Sequence, residues 1–185
     1  MRKAALFLVG ALAVAGASQA SAETILTPYA GAVFSGDTPK SHVVYGGSLA
    51  FTARTGLGFE VDFGLAPDFF DGDDFEVPNS NLTTLMGNIM FSGAVGGNSR
   101  IYGSAGGGLM KSSVDDADDF FDVSRNDFGV NAGAGIIVGV SDKVGIRGDI
   151  RYFRNIGDEE PDNEFDVDFG SFSYWRGTAG IAFTF

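Results

Sequence analysis

The sequence predicts an all-β protein, an eight-stranded antiparallel up-and-down transmembrane β-barrel. Three observations carry that expectation. Eight segments alternate a greasy face with a small or polar face at period two. The connections between them alternate between short and mostly long. The chain opens with an export segment rather than with a strand.

That segment comes first. Met1 to Ala22 carries Arg2 and Lys3, then an apolar run from Ala4 to Ala17, then Ala20-Ser21-Ala22 as an A-x-A cleavage site. The apolar run falls short of the ~20 residues a spanning helix needs, so residues 1–22 read as a cleaved signal peptide. Residues 23–185 then form one barrel domain, with 10 basic and 24 acidic residues.

The first strand is Thr27 to Ser35. In the second, Val43, Tyr45, Leu49 and Phe51 oppose Val44, Ser48, Thr52 and Arg54, and Arg54-Thr55-Gly56 is the turn. The third sets Leu57, Phe59, Val61, Phe63 and Leu65 against Gly58, Glu60, Asp62, Gly64 and Ala66. In the fourth, Leu85, Ile89 and Phe91 oppose Met86, Asn88, Met90 and Ser92, and Gly93 to Ser99 turns the chain. Arg100 to Lys111 is a fifth strand whose parity its glycines obscure. The sixth runs from Phe128 to Val140, with Val130, Ile136 and Val138 on the greasy side. After Ser141-Asp142-Lys143, the seventh sets Val144, Ile146, Ile150 and Tyr152 against Arg147, Asp149 and Arg151. The eighth sets Trp175, Ile181, Phe183 and Phe185 against Tyr174, Arg176 and Thr178.

A closed barrel satisfies every backbone group at membrane depth. An Arg on its lipid face near the midplane would cost ~2 to 4 kcal/mol. Arg54, Glu60, Asp62, Arg147, Asp149, Arg151 and Arg176 share the polar parity and are therefore expected to point inward. An eight-stranded interior is narrow enough for side chains to fill it. An ion-pair plug is the reading this favours over an ion path or proton relay, with the individual partners left open.

Composition sets limits on function. The chain has 185 residues, 12 Lys and Arg against 24 Asp and Glu, a net charge of -12 and no Cys. That balance lacks the basic footprint of a nucleic-acid binder. Without Cys there is no disulfide framework, thiolate zinc site or thiol nucleophile. An aromatic content of 13% is too rich for a disordered acidic chain. Seventeen of the 24 acids fall in three long connections, Pro67 to Asn79, Ser112 to Asn126 and Asn155 to Gly170, with only Arg125 opposing them. Phe69, Phe70, Phe75, Phe120, Phe121, Phe165 and Phe169 are threaded among them, a plausible contact surface. The runs lack EF-hand spacing, so a solvated negative rim is preferred to a defined calcium site, and neither a metal nor a cofactor is expected. Ser41 and His42 are adjacent and would face opposite ways on a strand, which argues against an enzymatic nucleophile and base.

The most specific motif is the C-terminus. Thr178-Ala-Gly180-Ile-Ala-Phe183-Thr-Phe185 looks like the signal by which barrel-assembly machinery recognises outer-membrane proteins. With the signal peptide, the eight strands and the Tyr29-Ala-Gly31 and Tyr102-Gly-Ser104 openings, residues 23–185 resemble the small eight-stranded outer-membrane barrels of Gram-negative bacteria. These are the OmpA barrel domain, the OmpX and Ail group and the porin-family surface antigens. The resemblance implies a monomeric, non-enzymatic barrel in the Gram-negative outer membrane. Its expected partners are outer-membrane lipids and lipopolysaccharide, the assembly machinery, and host or surface ligands at the loops, with no nucleic acid. It further implies envelope support or adhesion, with a narrow porin as the alternative and a lipid A-modifying enzyme as a more distant one. Tyr45, Phe128, Tyr152 and Trp175 near the loop ends, and Phe51, Phe59, Phe91, Phe183 and Phe185 near the turn ends, would form two aromatic girdles.

Overall fold

The computed structural model describes residues 23–36, 38, 40–69, 80–115, 122–156 and 172–185. The predicted signal peptide and the connections 70–79, 116–121 and 157–171 lie outside the described residues, and most of the acidic and Phe-bearing loop positions lie with them. Eight antiparallel strands follow in chain order: β1 (Glu23–Gly36), β2 (His42–Thr52), β3 (Leu57–Pro67), β4 (Ser80–Gly96), β5 (Ser99–Asp115), β6 (Asp122–Gly139), β7 (Val144–Ile156) and β8 (Ser173–Thr184). Each pairs with the next and β8 pairs with β1, closing the barrel. The last backbone link of that seam is made by Phe185, whose N–H donates to the Thr24 carbonyl at 2.9 Å.

The strands are tilted, and the register records it. Hydrogen-bonded partners followed from Ile25 run through Ala50, Glu60, Asn88, Gly106, Asn131, Phe153 and Tyr174 and return to β1 at Gly36. That is eleven residues higher on β1, one of them taken up by the irregularity between Phe34 and Gly36. A stagger of about ten residues over eight strands is the tilt that closure of a narrow barrel requires.

The predicted parity holds around the barrel. Val43, Leu57, Leu85, Ile89, Phe91, Leu109, Phe128 and Ile146 are exposed on the outer face, while Val44, Ala50, Met86, Met90 and Met110 are buried inside. An apolar exterior and a mixed interior invert the order of a water-soluble barrel, as a hydrocarbon surrounding demands. Leu57 to Leu65 places five outward apolar residues on β3, a stretch of about 26 Å along the strand at ~3.3 Å per residue.

Several boundaries differ from the sequence expectation. β4 and β5 continue to a turn at Gly97 and Asn98, so Gly93 to Gly96 and Ser99 are strand rather than turn. Gly97 accepts the left-handed φ of +53° that this tight turn needs. At the other end β5 and β6 remain paired to Asp115 and Asp122, which puts Asp115, Asp122 and Arg125 in strands and not in a loop. The sequence there reads as loop because it is mostly polar, with seven of the nine residues Ser112 to Asp115 and Asp122 to Asn126 polar or charged. β2 ends at Thr52, and Arg54 lies exposed in the turn that follows.

Candidate functional site in the barrel interior

The interior is layered. At the turn end Arg100 of β5 reaches across to Glu23 of β1 as a bidentate pair, with Nη2 to Oε1 at 2.8 Å. Above it lies an apolar layer of Ile25, Ala50, Met90, Tyr102, Ile137 and Ala182. A charged layer follows, and beyond it, toward the loops, a second apolar layer that includes Val33, Leu82, Met86, Phe153 and Tyr174.

The charged layer starts from three alternate residues of one strand. Arg147, Asp149 and Arg151 of β7 are two apart and so share the inner face. Asp149 therefore sits between two guanidinium groups, accepting from Arg151 Nε at 2.7 Å and Nη2 at 3.0 Å and from Arg147 Nη2 at 3.4 Å. Across the lumen Glu60 of β3 accepts from Arg147 at 2.5 Å, pairs with Arg151 at 2.7 Å and accepts from Asn88 at 3.3 Å. Asn131 donates to Asn88 at 2.8 Å, extending the network to β6. Arg147 further donates to Tyr102 Oη at 2.6 Å and to Ser48 Oγ at 3.0 Å, and the Tyr102 hydroxyl donates to Asp149. Arg176 of β8 pairs with Asp62 of β3 at 2.8 Å and donates to Tyr29 Oη at 3.0 Å.

Three arginines thus meet three carboxylates, and all six are buried at side-chain level. Buried charges persist only when paired and hydrogen-bonded, and every charge of this layer is paired, with Arg151 Nη1 and Arg176 Nε left without a hydrogen bond of their own. The space left beside Thr27, Tyr29, Ser48 and Asp62 is about the size of one ordered water.

Arg54 does not belong to it. It sits in the turn between β2 and β3, exposed, because the strand bends away at Thr52 before the parity can carry its side chain inward. Sequence reasoning passed over Tyr29, Ser48, Asn88, Tyr102 and Asn131 as network members. Asn88 and Ser48 were visible as inward by parity, whereas Tyr102 stands among glycines that mark neither face.

An aromatic column rises from Arg176 toward the loop end. Its guanidinium lies 4.6 Å from the Phe153 ring centroid, and Phe153 stacks on Tyr174 at 5.0 Å. Phe69, from the start of the β3 to β4 connection, meets Tyr174 edge-on at 5.1 Å, and Phe172, just before β8, lies 5.9 Å from Phe69. Backbone bonds fix both: Phe69 N–H donates to the Ser80 carbonyl at 3.0 Å, and Phe172 N–H to Asn155 Oδ1 at 2.6 Å. Phe69 is therefore a buried residue and not an exposed loop contact, because the chain folds it into the barrel mouth. His42 is buried beside it with ring centroids 6.3 Å apart, while Ser41 is exposed.

Of the C-terminal motif, Thr178 and Gly180 are half-buried, whereas Phe183 and Phe185 face outward. A Cβ on Gly180 would come within 2.4 Å of the Pro28 carbonyl, so only glycine admits this approach of β8 to β1. On the outer face at the loop end, Tyr152 and Trp175 are register partners with ring centroids 5.4 Å apart. Among the described residues no group of three or more His, Cys, Asp or Glu is arranged to hold a metal ion.

Solved structures share this fold at low identity. Neisserial surface protein A superposes with a TM-score of 0.64 at 17% identity, covering 88% of this chain and 97% of that one. The N-terminal β-barrel domain of Pseudomonas aeruginosa OprF gives a TM-score of 0.58 at 17% identity, over 89% and 100% of the two chains. Ail of Yersinia pestis, solved in complex with the heparin analogue sucrose octasulfate, gives 0.54 at 16% identity over 88% and 99%. No curated protein matches the sequence. The sequence profile of the outer membrane protein beta-barrel domain matches residues 5–174, most of the chain, and the protein belongs to that family of outer-membrane barrels.

Proposed function

We propose that the protein is a non-enzymatic, monomeric outer-membrane barrel with a plugged lumen, which supports the envelope as a scaffold and meets surface ligands through its acidic loops. The observation that carries this reading is the charge-balanced layer of Arg147, Arg151, Arg176, Glu60, Asp149 and Asp62, held between two apolar layers. An ion crossing such an interior would have to break buried pairs and then pass aromatic side chains with no water to replace its hydration. Residues 1–22 act as the cleaved export signal, and Thr178, Gly180, Phe183 and Phe185 as the signal read by the assembly machinery. Outer-membrane lipids, lipopolysaccharide included, surround the exposed apolar band. Ail binds a polyanionic heparin analogue, as its solved complex records; the acidic loops here favour cationic partners instead, since like charge repels.

Conductance in planar bilayers tests the lumen. The purified protein is expected to insert without steady ohmic channels, and a sustained channel would replace this reading with that of a narrow porin. Dye uptake tests the loops, in cells lacking the protein and supplied with either the full chain or a barrel whose three acidic loops are cut to short turns. Restoration of the barrier by the trimmed barrel assigns the envelope role to the scaffold, and restoration by the full chain alone assigns it to the loops.

A further inference from the structure

The Tyr29-Ala-Gly31 and Tyr102-Gly-Ser104 segments stand on β1 and β5, four strands apart and so on opposite walls of the barrel. Each tyrosine is built into its wall in the same way. Tyr29 has Gly46 of β2 as its register partner, and Tyr102 has Gly135 of β6. A Cβ on Gly46 would come within 2.8 Å of the Tyr29 hydroxyl oxygen, and one on Gly135 would overlap the Tyr102 ring. The glycines therefore let each ring lie flat across the neighbouring strand. The hydroxyl then reaches the second strand along: Tyr29 Oη donates to the Phe63 carbonyl of β3 at 2.9 Å, and Tyr102 Oη donates to Asp149 of β7.

A tyrosine hydroxyl has one proton to give and can still accept. In both cases the donor it accepts from is an arginine of the charged layer. Arg176 Nη1 donates to Tyr29 Oη at 3.0 Å, and Arg147 Nε donates to Tyr102 Oη at 2.6 Å. The same two guanidinium groups lie over the rings, with their central carbons 5.1 Å from the Tyr29 centroid and 4.5 Å from the Tyr102 centroid, within cation–π range. A carboxylate alone fixes where a guanidinium ends but not how its long stem runs. Among the described residues Arg176 has only Asp62 and Tyr29 as polar partners. Arg147 has Glu60, Asp149, Ser48 and Tyr102.

We infer that Tyr29 and Tyr102 are positioning residues of the lumen plug: each holds one arginine by its hydroxyl and its ring face together, and so keeps that guanidinium extended across the lumen. Without the hydroxyl the arginine is free to turn along the barrel axis and open a path past its carboxylate. The larger effect belongs to Tyr29, because Arg176 then keeps one polar partner while Arg147 without Tyr102 keeps three. The inference rests on the plugged-lumen reading for its closed baseline.

The test counts brief openings in planar bilayers for the full chain, exported and purified in detergent, and for Y29F, Y102F and Y29F/Y102F. Each substitution removes one oxygen and keeps the ring, and heat-modifiable gel mobility reports folding. Y45F is the control, since it removes a hydroxyl from the exposed outer face of β2. A hydrogen bond to a charged group shifts a local equilibrium by about tenfold or more. Y29F is therefore expected to raise the fraction of time open by about tenfold, Y102F by less, the double variant by at least as much as Y29F, and Y45F not at all. If the tyrosines merely pack the wall, Y29F/Y102F conducts no more than Y45F, and that result overturns the assignment; should the double variant fail to fold, Y29F alone decides. A steadily conducting unaltered protein refutes the plugged lumen instead, and the positioning role then stands or falls on the same ratios of variant to unaltered protein.

Discussion

Replacing Glu60 by Gln is the sharpest perturbation of the interior, because it removes one charge and almost no volume. Glu60 is fully buried and holds both Arg147 and Arg151. After the substitution three arginines share two carboxylates, and the amide nitrogen faces a guanidinium that it cannot accept from. Breaking one buried charged partnership costs about 3 to 5 kcal/mol; the retained amide oxygen places the expected loss near the lower end, about 3 kcal/mol. That is a large share of the ~5 to 15 kcal/mol typical of a folded domain. Urea unfolding of the protein refolded in phospholipid vesicles measures it, with Trp175, the single tryptophan, reporting from the lipid-facing side of β8. With a slope of about 1 to 3 kcal/mol per molar urea, the midpoint is expected to fall by roughly 1 to 3 M. Arg54→Gln serves as the control and is expected to stay within about 0.5 kcal/mol, since Arg54 is exposed in a turn. A loss below about 1 kcal/mol for Glu60→Gln would refute the reasoning, because it would mean that water already solvates these charges.

Three more outcomes are expected. Phe69→Ala and Phe172→Ala each remove a buried ring from the aromatic column, and each is expected to cost about 3 kcal/mol and to expose the adjoining connection to protease; unchanged cleavage would count against the anchoring of these segments in the barrel mouth. Val61→Arg, at the middle of the outward run on β3, is expected to destabilise the vesicle-bound barrel by ~2 to 4 kcal/mol, and Leu57→Arg, at its end, by about 1 or less; equal costs would contradict the membrane placement of the band. Deletion of Phe185 is expected to lower the amount of heat-modifiable barrel in the outer membrane, read by gel mobility of membrane fractions, and full yield would dismiss the terminal motif as an assembly signal.

The strands were legible wherever large apolar residues alternate with small or polar ones. Leu57 to Leu65 against Gly58 to Ala66 could hardly be read otherwise, and β7 exposed its inward Arg147, Asp149 and Arg151 for the same reason. The reading weakened where that contrast fades. Gly103, Gly106, Gly107 and Gly108 of β5 carry no side chain to mark a face, which hid Tyr102 as the hydroxyl that joins Arg147 to Asp149. Ser112 to Asp115 and Asp122 to Asn126 are mostly polar in sequence, and pairing there extends past the point where polarity alone suggests a loop. Arg54 failed for a different reason: parity predicts a direction only while the strand continues, and β2 ends two residues before it.

By itself, then, the sequence determined the class of fold, the strand order and the inward direction of the charges on β3, β7 and β8, because a period of two in hydrophobicity is a local property that each strand carries alone. Partnership was decided only by the tertiary structure. Glu60 meets Arg147 and Arg151, and Asp62 meets Arg176, through closure and stagger that bring β3 opposite β7 and β8. Phe69 and Phe172 turn inward for the same reason. Those relations depend on the register of all eight strands at once, and no single segment encodes it.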